Sequence, residues 1–168
     1  RPWRVEELAG LSLRLAPHLT HCYAMGGVLQ PLPDFTYEKL DILSWRWGQG
    51  QLDWAYPLSV DGHIFDVEEL REFIQQIEFH TPNTFEAALQ RFAYLFAERK
   101  GYCYMESKVV NVPLNIVQTD WSNRHSGQMS AEALLACWQE GFEIDVWELY
   151  NVKNQSVHQD FPVSLVMR

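Results

Sequence analysis

The sequence predicts an α+β domain: a mainly antiparallel sheet with an aromatic hairpin and helices packed on one face. Three observations predict it. Residues 40–58 alternate apolar and polar positions on both sides of Gly48-Gln49-Gly50-Gln51, the pattern of a hairpin. Two amphipathic helices open at capping residues Asp66 and Thr81. The order of elements (helices, hairpin, two helices, strands, helix, strands) lacks the regular βαβ alternation of a parallel sheet.

Taken in order, residues 3–25 carry Val5, Leu8, Leu15, Leu19 and Cys22 at helical spacing. Gly10 weakens that helix and Pro17 breaks it, so two short helices are expected, closed by Gly26-Gly27. Residues 28–34 read as a loop. In the hairpin, pairing Trp47 with Leu52 sets Trp45 opposite Trp54 and Leu43 opposite Tyr56, with all six on one face. A shift by one residue would set Trp45 against Asp53, so an aromatic cross-strand ladder is expected.

Asp61-Gly62 is a turn. Asp66 caps a helix whose buried stripe is Val67, Leu70, Phe73, Ile74 and Ile77, with Phe65 and Leu70 as a staple. Thr81-Pro82 starts the next helix, because proline at the first position has no amide to lose. Arg99-Lys100-Gly101 closes it. Residues 102–106 and 108–119 read as strands, the second with Pro113 at an edge or bulge. Residues 120–129 form a polar loop, Ser130 caps a short helix ending at Gly141, and residues 142–152 and 162–167 are the last strands.

Length and composition set the bounds. At 168 residues the chain suits a single domain, residues 1–168. With 47% hydrophobic and 14% aromatic residues it has enough apolar material to fold. The net charge of -9 argues against a nucleic-acid backbone binder and against an anionic membrane surface. It suits a protein partner with a basic surface, although acidity serves solubility first. Cys22, Cys103 and Cys137 are odd in number and widely spaced, which points away from a disulfide framework and toward a cytoplasmic protein with free thiols. No apolar run reaches the ~20 residues of a membrane span. No signal peptide is visible at Arg1-Pro2-Trp3, and the missing initiator Met implies residues upstream.

Five constellations are candidates for chemistry. His18, His21 and Cys22 have ligand types at helical spacing, but no second half of a zinc motif follows, so no metal site is expected. Cys103, Asp120 and His125 are the types of a thiolate triad, yet alternation in a strand would bury Cys103 as an inert hydrophobe. The loop Asp120–Gly127 combines Trp121, Arg124 and His125, residue types that anchor partners. Asp61, His63 and Asp66 suggest acid–base work, although a turn and a helix cap already account for both aspartates. From His125 to Val152 the charged residues are Glu132, Glu140, Glu143, Asp145 and Glu148, with no Lys or Arg: a solvated face, or a dock for a basic partner.

The chain has no Gly-rich phosphate loop, dinucleotide fingerprint or Gly-x-Ser-x-Gly elbow, so no cofactor is expected and no catalytic residue is identified. The expected function is that of a small regulatory or inhibitory protein that binds another protein through Trp121, Arg124 and His125. The alternative is a small-molecule-binding domain or enzyme with a pocket lined by Trp45, Trp47 and Trp54.

Overall fold

The computed structural model describes residues 8–116, 118, 119 and 121–168. Its main sheet has five strands: β1 (Leu8–Ser12), β4 (Thr36–Lys39), β5 (Ile42–Arg46), β6 (His63–Ile64) and β7 (Lys100–Tyr104). They lie in the order β4-β5-β7-β1-β6, with β1 and β7 parallel and every other pair antiparallel. Two ribbons stand outside it, β2 (His21–Cys22) with β3 (Val28–Leu29) and β8 (Phe142–Ile144) with β9 (Leu165–Met167). The helices are α1 (Val67–Ile74), α2 (Pro82–Leu89) and α3 (Ala131–Gln139). The architecture is the expected α+β one. No helix among the described residues is long and apolar enough to cross a membrane.

The core gathers Leu43, Trp45 and Cys103 from the sheet, Trp47, Trp54 and Leu58 from the segment after β5, and Phe73, Leu89 and Phe96 from the helical layer. Its centre is aromatic. Trp45 meets Trp47 at 4.7 Å and Trp54 at 5.0 Å between ring centroids, both edge to face, the geometry that the ring quadrupole favours. The Trp45 indole N–H donates to the Trp54 carbonyl at 3.0 Å.

These indoles do not form the expected ladder. Trp45 lies opposite Gly101 of β7, and Leu52–Ala55 is a 3-10 turn instead of a second strand. The hairpin that does form joins β4 and β5 through Leu40-Asp41. The physical reason lies at Gly101: a Cβ there would sit 2.7 Å from both Trp45 and Trp47. Only a residue without a side chain lets two indoles cover the strand, so β7 takes the place beside β5.

Other expectations are corrected in the same way. Where two helices were expected over 3–25, residues 8–12 are a strand between β6 and β7, and residues 3–7 lie outside the described residues. Gly10 carries φ +114 where the register slips between Leu8 and Leu11, so it is a bulge position and not a weak helix position. Val28-Leu29 pairs with β2 instead of belonging to a loop. Among the described residues of 108–119, the expected strand is reduced to a single bridge from Asn111 to His158. The last strands are shorter than expected, because Val146–Leu149 is a 3-10 turn. The second helix gives way to 3-10 geometry over Gln90–Phe96.

The caps fall where the sequence places them. Asp66 accepts from the Glu68 and Glu69 amides, Thr81 from the Thr84 amide and Ser130 from the Ala133 amide. Phe73 is the buried member of the α1 stripe, whereas Val67 is 65% exposed. A buried cap is not needed for any of these helices, so capping contributes locally and additively.

Two substitutions test this account. Gly101→Ala should destabilise by about 1–3 kcal/mol, the usual range for overpacking, read as a lower urea midpoint. An unchanged midpoint would show that the indoles move aside freely. Asp66→Ala should cost about 0.5–2 kcal/mol through loss of the cap, read in the same assay.

Candidate functional site

The site begins where β1 ends. Ser12 Oγ accepts from the Leu15 amide at 2.9 Å and turns the chain just after the strand. The Leu13 amide donates to the Gly62 carbonyl at 2.8 Å, which fixes this turn against the one before β6. Gly62 has φ +69, the left-handed conformation that glycine tolerates best. Arg14, between these turns, is 4% exposed. Its guanidinium donates to Ser59 Oγ at 2.8 Å and to Asp61 Oδ2 at 3.1 Å. Its Nε is buried and has no partner among the described residues.

Asp61 is the centre of this network. Besides Arg14, Oδ2 accepts from Asn111 Nδ2 at 3.2 Å and faces His158 Nε2 at 3.2 Å. The hydrogen bond from His158 and the charge of Arg14 outweigh desolvation and hold the Asp61 carboxyl down at about 2. Ser59 Oγ donates a hydrogen bond to Glu86 Oε1 at 2.7 Å, and that carboxylate oxygen also accepts from the Val60 amide at 3.0 Å. A second carboxyl, Asp53, stands nearby after Leu52, which has φ +53. The Asp53 amide donates to Gln30 Oε1 at 3.2 Å. Burial pushes the Asp53 carboxyl above the ordinary range, against the charge of Arg14 and a hydrogen bond from Cys22. Its Oδ2 is buried without a hydrogen-bond partner among the described residues.

Arg14, Asp53, Asp61, Glu86, Asn111 and His158 all line one open cleft of about 860 Å³. Segment 111–116 and loop residues Ser122, Asn123 and Arg124 form its other wall. Arg124 lies 4.1 Å over the Tyr23 ring, and the Tyr23 hydroxyl donates to Asp160 Oδ1 at 2.8 Å. Burial first, then that hydrogen bond, pushes the Tyr23 phenol up to about 12, so it remains a donor. The loop is thereby held to the cleft edge by a stacked cation. The two aspartates are driven in opposite directions within one cleft, the arrangement that separates an acid from a base.

The sequence candidates are distributed as follows. Arg124 lines the cleft, while Trp121 is 52% exposed and neither it nor His125 is among the lining residues. Asp120 lies outside the described residues. Trp45, Trp47 and Trp54 are at most 3% exposed and form the core, so the expected Trp-lined pocket is corrected: none of the three lines the cleft. Cys103 is fully buried in the middle of the sheet, with its thiol pushed up to about 12 by burial, while His125 is exposed. His18, His21 and Cys22 do not converge: His18 faces Asn154, His21 faces Thr20, and the Cys22 thiol bonds with Asp53. All three cysteines are free. Of Asp61, His63 and Asp66, only Asp61 is in the cleft. Asp66 caps α1, and His63 Nδ1 lies 3.3 Å from the Pro57 carbonyl, with Nε2 buried and unpartnered among the described residues.

Arg14, Asp53 and His158 escaped the sequence reading. No local pattern marks them, since their partners lie far along the chain and only the fold brings them together. The sole available signal was Asp61-Gly62, which reads equally well as a plain turn.

The pH dependence of stability follows from His63 and Asp61. Burial, and then the charge of Arg14, lowers the His63 imidazole from 6.5 to about 3. The unfolded chain therefore binds more protons than the folded one between those values, and stability falls as pH drops through that window. Asp61 has the same sign over a lower range: its contribution is complete above 3.8 and is lost toward about 2. The urea midpoint should decline on acidification, offset in part by Asp53, whose raised carboxyl takes up its proton more readily in the folded chain. His63→Gln should flatten the upper part of that decline, and an unaltered slope between about pH 6.5 and 4.5 would remove His63 as its source.

Compared with protein-family models, with curated proteins and with solved structures, the chain matches none.

Proposed function

We propose that the protein binds a small hydrogen-bonding molecule in the Arg14–Asp61 cleft, with Asp53 as the group that exchanges a proton with it. One observation carries this reading. Arg14 Nε and Asp53 Oδ2 are both buried and unpartnered among the described residues, and both side chains line the same cleft. An unpaired buried polar atom costs about 1–3 kcal/mol, a cost that a ligand or its water would offset. The volume of about 860 Å³ is within the range of small-molecule sites.

Charge narrows the ligand class. Arg14 and Arg124 face Asp53, Asp61 and Glu86, so the lining holds no excess of cations for a polyanion. A neutral or zwitterionic molecule with donors and acceptors fits this balance. A raised carboxyl at Asp53 holds a proton more readily than an exposed aspartate, so it can meet a ligand as donor or as acceptor.

A protein partner with a basic surface is the second reading. It rests on Trp121, half exposed on a loop whose Arg124 is already engaged by Tyr23. The Gln118 side chain accepts from the Trp121 amide at 2.9 Å and donates to its carbonyl at 2.7 Å, so the loop presents its indole at low entropic cost.

The cleft reading is tested by thermal denaturation against a panel of neutral, zwitterionic and anionic small molecules. A binder at 100 times its Kd should add about 2.7 kcal/mol of stability. Asp53→Asn and Arg124→Ala should each weaken that binder by about 1–3 kcal/mol while leaving the fold intact. Equal binding by both variants, or no shift from any neutral or zwitterionic compound, would discard the cleft as the site.

A further inference from the structure

The C-terminal part of the chain carries a second surface, independent of the cleft. Helix α3 has no buried residue, although Ala, Leu, Cys and Trp make up most of it. Leu135 is 56% exposed and Trp138 51%, and in the turn after β8, Val146 is 64% and Trp147 78% exposed. Leu134, Leu135, Trp138, Phe142, Ile144 and Val146 line a groove of about 480 Å³ between α3 and the β8–β9 ribbon. A contiguous apolar surface of this kind is uncommon on a protein that functions alone.

The charges around the groove identify what covers it. Glu132 and Glu140 lie at the two ends of α3, Glu143 lines the groove, and Asp145 and Glu148 belong to the turn after β8. None of the five forms an ion pair among the described residues. Arg168, which follows β9, is already stacked 3.7 Å over Trp138 and donates to the Trp138 carbonyl at 2.8 Å. A second copy of the chain would bring the same five carboxylates against themselves, within a molecule of net charge -9. An anionic lipid surface would be repelled for the same reason.

We propose that this groove docks a basic amphipathic segment of a protein partner, with its apolar residues between α3 and the ribbon and its Lys and Arg side chains against the acidic rim. A helix with anchors at i, i+3, i+4 and i+7 presents one apolar stripe, the pattern that docks in an apolar groove. The rim sets orientation and accelerates encounter, while the trough supplies most of the affinity.

The test uses the whole chain and a fluorescein-labelled designed peptide of about 15 residues, with Leu on one face and Lys on the other, followed by anisotropy. Saturable binding is expected. A scrambled peptide of equal charge should bind about tenfold or more weakly, because it keeps the electrostatics and loses the stripe. Leu135→Ser with Val146→Ser should weaken binding by a similar factor with an unchanged circular dichroism spectrum, since both side chains are exposed. Glu143→Gln with Glu148→Gln should mainly slow association and reduce its dependence on salt. Equal binding of the scrambled peptide would reduce the effect to charge alone and overturn the groove. No binding at about 100 μM would overturn it as well. So would a dimer in sedimentation that Leu135→Ser with Val146→Ser dissolves, because the occupant would then be a second copy.

Discussion

A buried guanidinium organises this molecule. Arg14 sits at the exit of the strand β1 and is almost wholly removed from water. A charge in that position costs several kcal/mol unless it is paired and hydrogen-bonded. Ser59 and Asp61 supply the pairing, and to do so the segment between Trp54 and β6 must fold back against the end of β1. Asp61 in turn requires donors on its far side, and Asn111 and His158 provide them from segments much later in the chain. The main-chain bridge between Asn111 and His158 holds those two donors side by side. One ion pair therefore ties the first strand to the last third of the sequence, and the cleft is the space left between the segments it ties. Removing one partner would leave the other charge buried, which is why the network behaves as a unit and not as separable bonds.

The aromatic core follows a different rule, that of shape. Trp45 meets Trp47 and Trp54 edge to face, and Trp45 and Trp47 lie over Gly101, the second residue of β7, which has no side chain. The alternation of Leu43, Trp45 and Trp47 correctly signals residues that face the interior. What it does not carry is the identity of the neighbouring strand. Trp54 reaches Trp45 from a 3-10 turn, so the contact expected between these two residues exists without the strand pairing that was to produce it. Packing among large rings tolerates many backbone routes, whereas register depends on backbone hydrogen bonds that only the partner strand specifies.

This difference explains what was legible. Asp66, Thr81 and Ser130 were legible as caps because a cap is settled within three residues of itself. The segment Leu8–Ser12 was read as helical because Leu8 and Leu15 share helical spacing, yet its place between two strands overrides local preference. Gly10 was the overlooked signal there: a glycine inside an apolar run marks a bulge as readily as it weakens a helix. Of the residues that line the cleft, Cys22, Asp61 and Arg124 are candidates in the sequence, each with an ordinary local explanation. Asp53 and Asp61 gain their chemistry from residues distant in sequence, and the shifts that mark them, upward by burial at Asp53 and downward by hydrogen bonding at Asp61, belong to the folded environment alone.

The distribution of charge separates two kinds of recognition within one chain. In the cleft, two guanidiniums and an imidazole are set among three carboxyls, and every one of these groups except Asp53 Oδ2 and Arg14 Nε is exposed or held by a named neighbour. Such balance favours orientation over raw attraction: a small molecule gains from matching donors and acceptors, and little from its net charge. At the C-terminal groove the order is reversed. The groove is lined mainly by apolar side chains, while five carboxylates without an ion pair among the described residues lie around it and give this end a negative field. An acidic chain can thus hold a near-neutral ligand site, because its excess charge is moved to another part of the surface. The cleft is lined mainly by turns and loops, which the bonds of Arg14 and Asp61 tie to one another. The groove sits on a helix with no buried residue, and such an element adjusts to a partner at small cost to the core.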